Sequence, residues 1–139
     1  MKVFITGATG FVGTAVVQEL LEAGHEVLGL ARSEESAKKL VEAGAEAHHG
    51  NLTDFESLKS GARLSDAVIH LGFVHDFSRF QEMCILDSEV IGALGDALAG
   101  TEKPFPGLHI LQNLTTKARV RRQGDRLTGT LFILLYWKI

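Results

Sequence analysis

The stretch "KVFITGATGFVGTAVVQELLEAGHEV", residues 2–27, decides the fold. "KVFIT" is a short β-branched and aromatic run ending at a glycine, which reads as a buried strand. Three glycines follow at intervals of three: Gly7, Gly10 and Gly13. Behind them Val12, Val16, Val17, Leu20 and Leu21 recur at helical spacing, and Gly24 suits a left-handed C-terminal cap. A strand, a glycine-rich turn and a helix in that order create a place for negative charge. The first amides of a helix lack partners inside it, and the helix dipole adds about half a positive charge there. A diphosphate satisfies both. Gly7 would make the tight turn, Gly10 would admit a phosphate to the backbone, and Gly13 would let helix and strand pack closely. The reading is dinucleotide binding, and a glycine turn that binds nothing is the alternative. A P-loop needs a lysine followed by Ser or Thr, and Thr14 follows Gly13 with no lysine.

Outward from that unit, strand and helix keep alternating. "HEVLGLAR" reads as a second strand and "SEESAKKLVEAG" as a second helix, with Ser33 as N-cap and Gly44 closing it. "AEAHHGN" is a weaker third strand. "TDFESLKSGA" is a short helix in which Thr53 and Glu56 fit a capping box. "DAVIHLGF" is a fourth strand and "SRFQEMCILDSEVIGALGDALAG" a long helix. Four repeats of this alternation predict an α/β doubly wound, Rossmann-like parallel sheet, ordered 3-2-1-4-5 and incomplete at the C-terminus.

The chain has 139 residues, the size of one domain, and a net charge of −3, which gives no electrostatic case for nucleic acid. No secretory signal and no apolar run of about 20 residues is visible, so a cytoplasmic protein without membrane contact is expected. The single cysteine, Cys84, fits a reducing compartment. The sequons at Asn51 and Asn113 read as chance. Charge divides the chain: residues 1–106 carry a net −8 and residues 107–139 a net +5. Pro104 and Pro106 mark the change. Residues 1–106 therefore read as the nucleotide-binding domain, and residues 107–139 as an atypical basic and apolar tail adding one or two strands.

"TGATGFVG" resembles the TGxxGxxG fingerprint of the extended or atypical short-chain dehydrogenases/reductases, a branch that includes NAD(P)-dependent epimerases and dehydratases. "GNLTD", "DAVIHLGF" and "VHDFSRF" fall in that family's order, and the resemblance covers about residues 2–105. It implies that Gly7, Thr9, Gly10, Phe11 and Val12, with Gly13 behind them, form the diphosphate loop. It implies that Asn51 and Leu52 lie beside the adenine, where the family usually has Asp rather than Asn. Leu71, Gly72 and Phe73 would pass the nicotinamide-side ribose. At the end of the second strand, an acid would favour NAD. This chain has Arg32 and Ser33, and arginine engages a phosphate through two parallel charge-assisted bonds. NADP is therefore expected, with NAD as the alternative. A solvated Arg32 paired with Glu34 or Glu35 is the bland reading.

The same resemblance implies a catalytic Tyr-x-x-x-Lys, in which residues four apart share a helix face. The only tyrosine is Tyr136, with Lys138 two residues on, so no catalytic residue is assigned. Thr115, Thr116 and Lys117 make a poor substitute. The family continues for well over a hundred residues more, so a chain truncated after about residue 105 is expected, with a substrate only in a complete form. "LHIL" would supply a fifth strand, and "LFILLYW" would pack on a sheet edge or promote aggregation.

Other residues invite weaker readings. His48 and His49 read as solvent-exposed at a strand end rather than as metal ligands. His70 reads as a satisfied core histidine. His75, Asp76 and Ser78 would either line a pocket or close a loop. "KARVRRQGDR" reads as a solvated hairpin or disorder. Three functions stay open: an NAD(P)-dependent oxidoreductase or epimerase-dehydratase in incomplete form, a catalytically silent NADP-binding sensor or subunit-interaction module, and a fragment without function. Oligomeric state is not legible.

Overall fold

A computed structural model of the chain describes residues 1–74 and 76–105. Its strands are β1 (Lys2–Thr6), β2 (Glu26–Ala31), β3 (Glu46–His49) and β4 (Ala67–His70). Its helices are α1 (Phe11–Glu22), α2 (Glu34–Glu42), α3 (Phe55–Arg63) and α4 (Phe80–Leu98), the last entered through a 3-10 turn at Phe77–Arg79. The strands form one parallel sheet in the order β3-β2-β1-β4. The sheet is the expected one as far as β4. The fifth strand expected from "LHIL", together with the readings placed on "LFILLYW", on "KARVRRQGDR", on Thr115, Thr116 and Lys117, and on Tyr136 and Lys138, lies outside the described residues.

Side chains alternate across a strand, so β1 sends Val3 and Ile5 to one face and Phe4 to the other. On the first face they meet Val17 of α1 and Leu40 of α2. On the second, Phe4 and Val68 meet Leu58 of α3 and Val90 and Leu94 of α4. A parallel sheet covered on both faces needs apolar residues in both registers, which is why these strands read as nearly continuous apolar runs. The chain leaving α4 returns to the outer side of β4, where Val68 N–H donates to Pro104 O at 3.0 Å and Phe105 packs onto the second core.

The ends of the elements follow local chemistry. Gly24 and Gly44 close α1 and α2 at φ +81° and +92°. Ser33 caps α2 in a reciprocal box with Ser36. The cap expected from Thr53 and Glu56 is not formed. Asp54 caps α3 instead, its carboxylate accepting from Ser57 N–H at 3.2 Å. Thr53 is taken by Asn51, whose Oδ1 accepts from Thr53 N–H, the Thr53 hydroxyl and Asp54 N–H. This local turn carries the chain one residue further before the helix starts.

One buried polar atom has no partner among the described residues: Ser65 Oγ, just before β4. An unmade hydrogen bond of this kind costs about 1–3 kcal/mol. Ser65→Ala is therefore expected to raise the unfolding free energy by about 1 kcal/mol, read as a higher urea midpoint with an unchanged slope.

Candidate functional site

In a parallel sheet the carboxyl ends of all strands lie along one edge, and the chain segments leaving them share that edge. Here β1 is interior, with β2 on one side and β4 on the other. The connections out of β1 and β4 therefore meet at the point where strand order reverses, the place where open α/β sheets form a crevice.

Gly7 leaves β1 at φ +70°, and a Cβ there would lie 2.7 Å from Gly72 N. The two connections are in backbone contact. Leu71 N–H donates to Thr6 O at 3.1 Å, extending the β1–β4 ladder to this contact. Gly13 lies against the same turn, where an added Cβ would stand 1.9 Å from Gly7 O. Gly10 is different. It is the N-cap of α1 in extended backbone, φ −76° and ψ 174°, and an added Cβ would meet only Gly7 O, at 3.3 Å.

The mouth of α1 follows from these three glycines. Gly10 offers no side-chain cap, and no acidic side chain stands in the first turn. Gly10 N–H bonds back to Gly7 O, and Thr14 N–H bonds to Gly10 O. Between them, the amides of Phe11, Val12 and Gly13 find no acceptor among the described residues. Phe11 is 94% exposed, Thr9 is exposed and Val12 is half-buried. Oriented amides at the positive end of a helix dipole, beside a position free of side chain, fit a diphosphate.

The other expected residues occupy the same edge. Arg32 and Ser33 follow β2, and both are exposed. Arg32 makes no ion pair among the described residues, because Glu35 is held by Lys39 and Glu34 lies towards His49. The Lys39 ammonium holds the Glu35 carboxyl below its ordinary pKa. The Ser33 hydroxyl is engaged in capping α2. Asn51 and Leu52 follow β3. The Asn51 carbonyl is spent on its own turn, and Leu52 reaches the Gly72 backbone, where a Cβ would lie 3.2 Å from its Cδ2. Leu71, Gly72 and Phe73 follow β4.

The histidines part company. His49 is exposed, as expected of a strand end. His48 is not: it stacks edge-on against Phe4 with centroids 5.5 Å apart, and its Nε2 meets Ser57 O at 2.8 Å. The Ser57 carbonyl of α3 and the distant Phe4 ring of β1 hold the imidazole inward. His75 lies outside the described residues. Asp76 and Ser78 close the loop on each other: Asp76 Oδ1 accepts from Ser78 N–H at 3.1 Å and from the Ser78 hydroxyl at 2.6 Å. The hydroxyl bond is the main reason the Asp76 carboxyl sits below its ordinary pKa.

A group not assembled from sequence lies beneath the Gly7–Gly72 contact. Thr6 Oγ1 is 2.5 Å from His70 Nδ1, and His70 Nε2 is 3.0 Å from Asp87 Oδ1. Thr6 Oγ1 also accepts from Gly72 N–H at 3.1 Å. The signals were a polar residue ending a buried strand and an acid within an apolar helix. Thr6 is 0% and His70 2% exposed, so this is not a nucleophile open to substrate.

The family model described as NAD dependent epimerase/dehydratase matches residues 3–85, the whole span from β1 into α4. The chain belongs to the NAD dependent epimerase/dehydratase family. An uncharacterized protein of Schizosaccharomyces pombe is 56% identical over 105 residues, 76% of this chain and 36% of the relative. The sterol-4-alpha-carboxylate 3-dehydrogenase (decarboxylating) of Dictyostelium discoideum is 40% identical over 69 residues, 50% of this chain and 21% of that enzyme. Among solved structures, the Citrobacter sp. triphenylmethane reductase complexed with NADP(H) superposes with a TM-score of 0.60 at 25% identity, covering 76% of this chain and 36% of that one. The matched stretch thus spans between about a fifth and about a third of the length of these relatives. Among the described residues, no helix is long and apolar enough to cross a membrane.

Proposed function

We propose that the chain binds NADP(H) with its diphosphate at the mouth of α1, and that the complete protein is an NAD(P)-dependent oxidoreductase or epimerase-dehydratase. The observation that carries this reading is the set of three amides, Phe11, Val12 and Gly13, left without acceptors among the described residues beside the side-chain-free Gly10. In this reading residues 1–106 are the nucleotide-binding domain and residues 107–139 an atypical basic and apolar tail. Gly7, Thr9, Gly10, Phe11, Val12 and Gly13 form the diphosphate loop. Asn51 and Leu52 adjoin the adenine, and Leu71, Gly72 and Phe73 the nicotinamide-side ribose.

NADP is favoured over NAD because Arg32 stands at the end of β2 with its guanidinium uncommitted to any acid among the described residues. The NADP(H) complex of the triphenylmethane reductase supports the same choice. When bound, the nicotinamide supplies the hydride chemistry, and the protein's part is binding and orientation. Arg32→Asp is expected to weaken NADPH about 10–100-fold, the loss of one or two charge-assisted bonds plus a repulsion, with NADH nearly unchanged. Equal losses for the two cofactors would overturn the NADP assignment.

A second reading has its own observation. Within these 139 residues Tyr136 has no lysine four positions on, so a silent NADP-binding module is the alternative for this stretch taken by itself. Titration calorimetry of the folded protein tests both readings at once, with binding of NADPH expected in the range of about micromolar Kd. No heat with NADPH, NADP or NADH would reject cofactor binding. Binding without NADPH turnover on added ketones would favour the module.

A further inference from the structure

We infer that Thr6, His70 and Asp87 form a positioning relay that clamps the exit of β4 onto the exit of β1 and so fixes the floor of the dinucleotide site. The inference rests on the cofactor reading for its effect on affinity, though not for its effect on the loop.

The direction of the hydrogen bonds can be worked out from the donors available. Gly72 N–H can only donate, so Thr6 Oγ1 accepts from it at 3.1 Å. Thr6 is 0% exposed, and among the described residues the one acceptor within hydrogen-bond distance of its hydroxyl is His70 Nδ1, at 2.5 Å. The hydroxyl proton therefore points at Nδ1, which must be bare. The ring then carries its proton on Nε2 and donates it to Asp87 Oδ1 at 3.0 Å. The chain runs in one sense: Gly72 amide to Thr6 hydroxyl, hydroxyl to imidazole, imidazole to carboxylate. Asp87, on the middle of α4, anchors the far end and fixes the tautomer.

What the relay holds is specific. Gly7 sits at φ +70° with backbone against backbone at Gly72, and neither of these two glycines has a side chain to lock the contact. The Thr6 hydroxyl is the side-chain bond to Gly72 N–H there. Polar networks of this kind specify one arrangement when every member is satisfied, as all three are here.

The test uses ¹⁵N-labelled chain. In the wild type, the His70 ring shifts are expected to report the Nε2–H tautomer, a measurement needing no variant and no cofactor. A proton on Nδ1 would overturn the relay. Thr6→Val removes the hydroxyl at nearly constant shape. It is expected to speed Gly72 amide exchange and weaken NADPH each by about tenfold, while the amides of β2 keep their protection. Thr6→Ser is expected to restore both. Uniform acceleration of all amides in Thr6→Val would reduce Thr6 to general core stability and overturn the positioning role. So would failure of Thr6→Ser to rescue. If the wild type binds no NADPH, the cofactor reading fails, while the tautomer and Gly72 exchange still decide the relay.

Discussion

Gly10→Leu is expected to abolish detectable NADPH binding, raising Kd at least about 100-fold, in a protein that stays folded. The fold survives because position 10 is extended backbone, φ −76° and ψ 174°, which any L-residue adopts. Among the described residues, the first added carbon meets a single atom within 4 Å beyond its chain neighbours, Gly7 O at 3.3 Å. Leucine is a poorer N-cap than glycine, a loss of about 1 kcal/mol. The ligand does not survive. The side chain stands beside the Phe11, Val12 and Gly13 amides, in the space a diphosphate would need. Losing two charge-assisted hydrogen bonds at about 1.5–3 kcal/mol each gives the stated factor. Calorimetry paired with near-ultraviolet dichroism checks it. A folded variant that keeps wild-type affinity would place the diphosphate elsewhere.

The strength of that prediction reflects what a chain can reveal locally. Gly7, Gly10 and Gly13 were legible because a strand, a turn and a helix follow one another within thirty residues, and each glycine answers a local steric demand. The alternation of short apolar runs with amphipathic stretches likewise placed β1 to β4 and α1 to α4, since parallel strands covered on both faces read as nearly continuous apolar runs. Two adjacent residues of comparable capping strength, Thr53 and Asp54, were not separable by propensity. The Asn51 turn, which consumes the Thr53 amide and hydroxyl, decided between them. Contacts between strands were beyond local reading altogether. His48 packs on Phe4, 44 positions away in the chain. His70 finds Thr6 and Asp87 at separations of 64 and 17 residues. Sequence marked His70 as a core group needing partners, and the register of β1 against β4, which sets Thr6 opposite it, supplied the first of them.

Gly13→Ala is expected to destabilise the protein by at least about 2 kcal/mol, a fall of roughly 10 °C in melting temperature. Alanine should help a helix: it gains about 1 kcal/mol over glycine in propensity. Here packing outweighs propensity. The new methyl would lie 1.9 Å from Gly7 O, 2.8 Å from Gly7 C and 2.9 Å from Ala8 C, all backbone atoms that no rotamer change can move. Nor can the turn retreat, because Gly72 backs Gly7 so closely that a Cβ on Gly7 would lie 2.7 Å from Gly72 N. The remaining motion is an outward shift of α1. That shift pulls Val17 away from Val3 and Ile5 and opens space in the first core. Overpacking of this kind costs about 1–3 kcal/mol or more, and the cavity behind the helix adds to it. Gly10→Ala is the control, with one 3.3 Å contact in place of three closer ones, and its melting temperature should stay near wild type. If Gly13→Ala melts as high as that control, α1 does not rest on the Gly7 turn, and nothing fixes its amides at the crevice between β1 and β4.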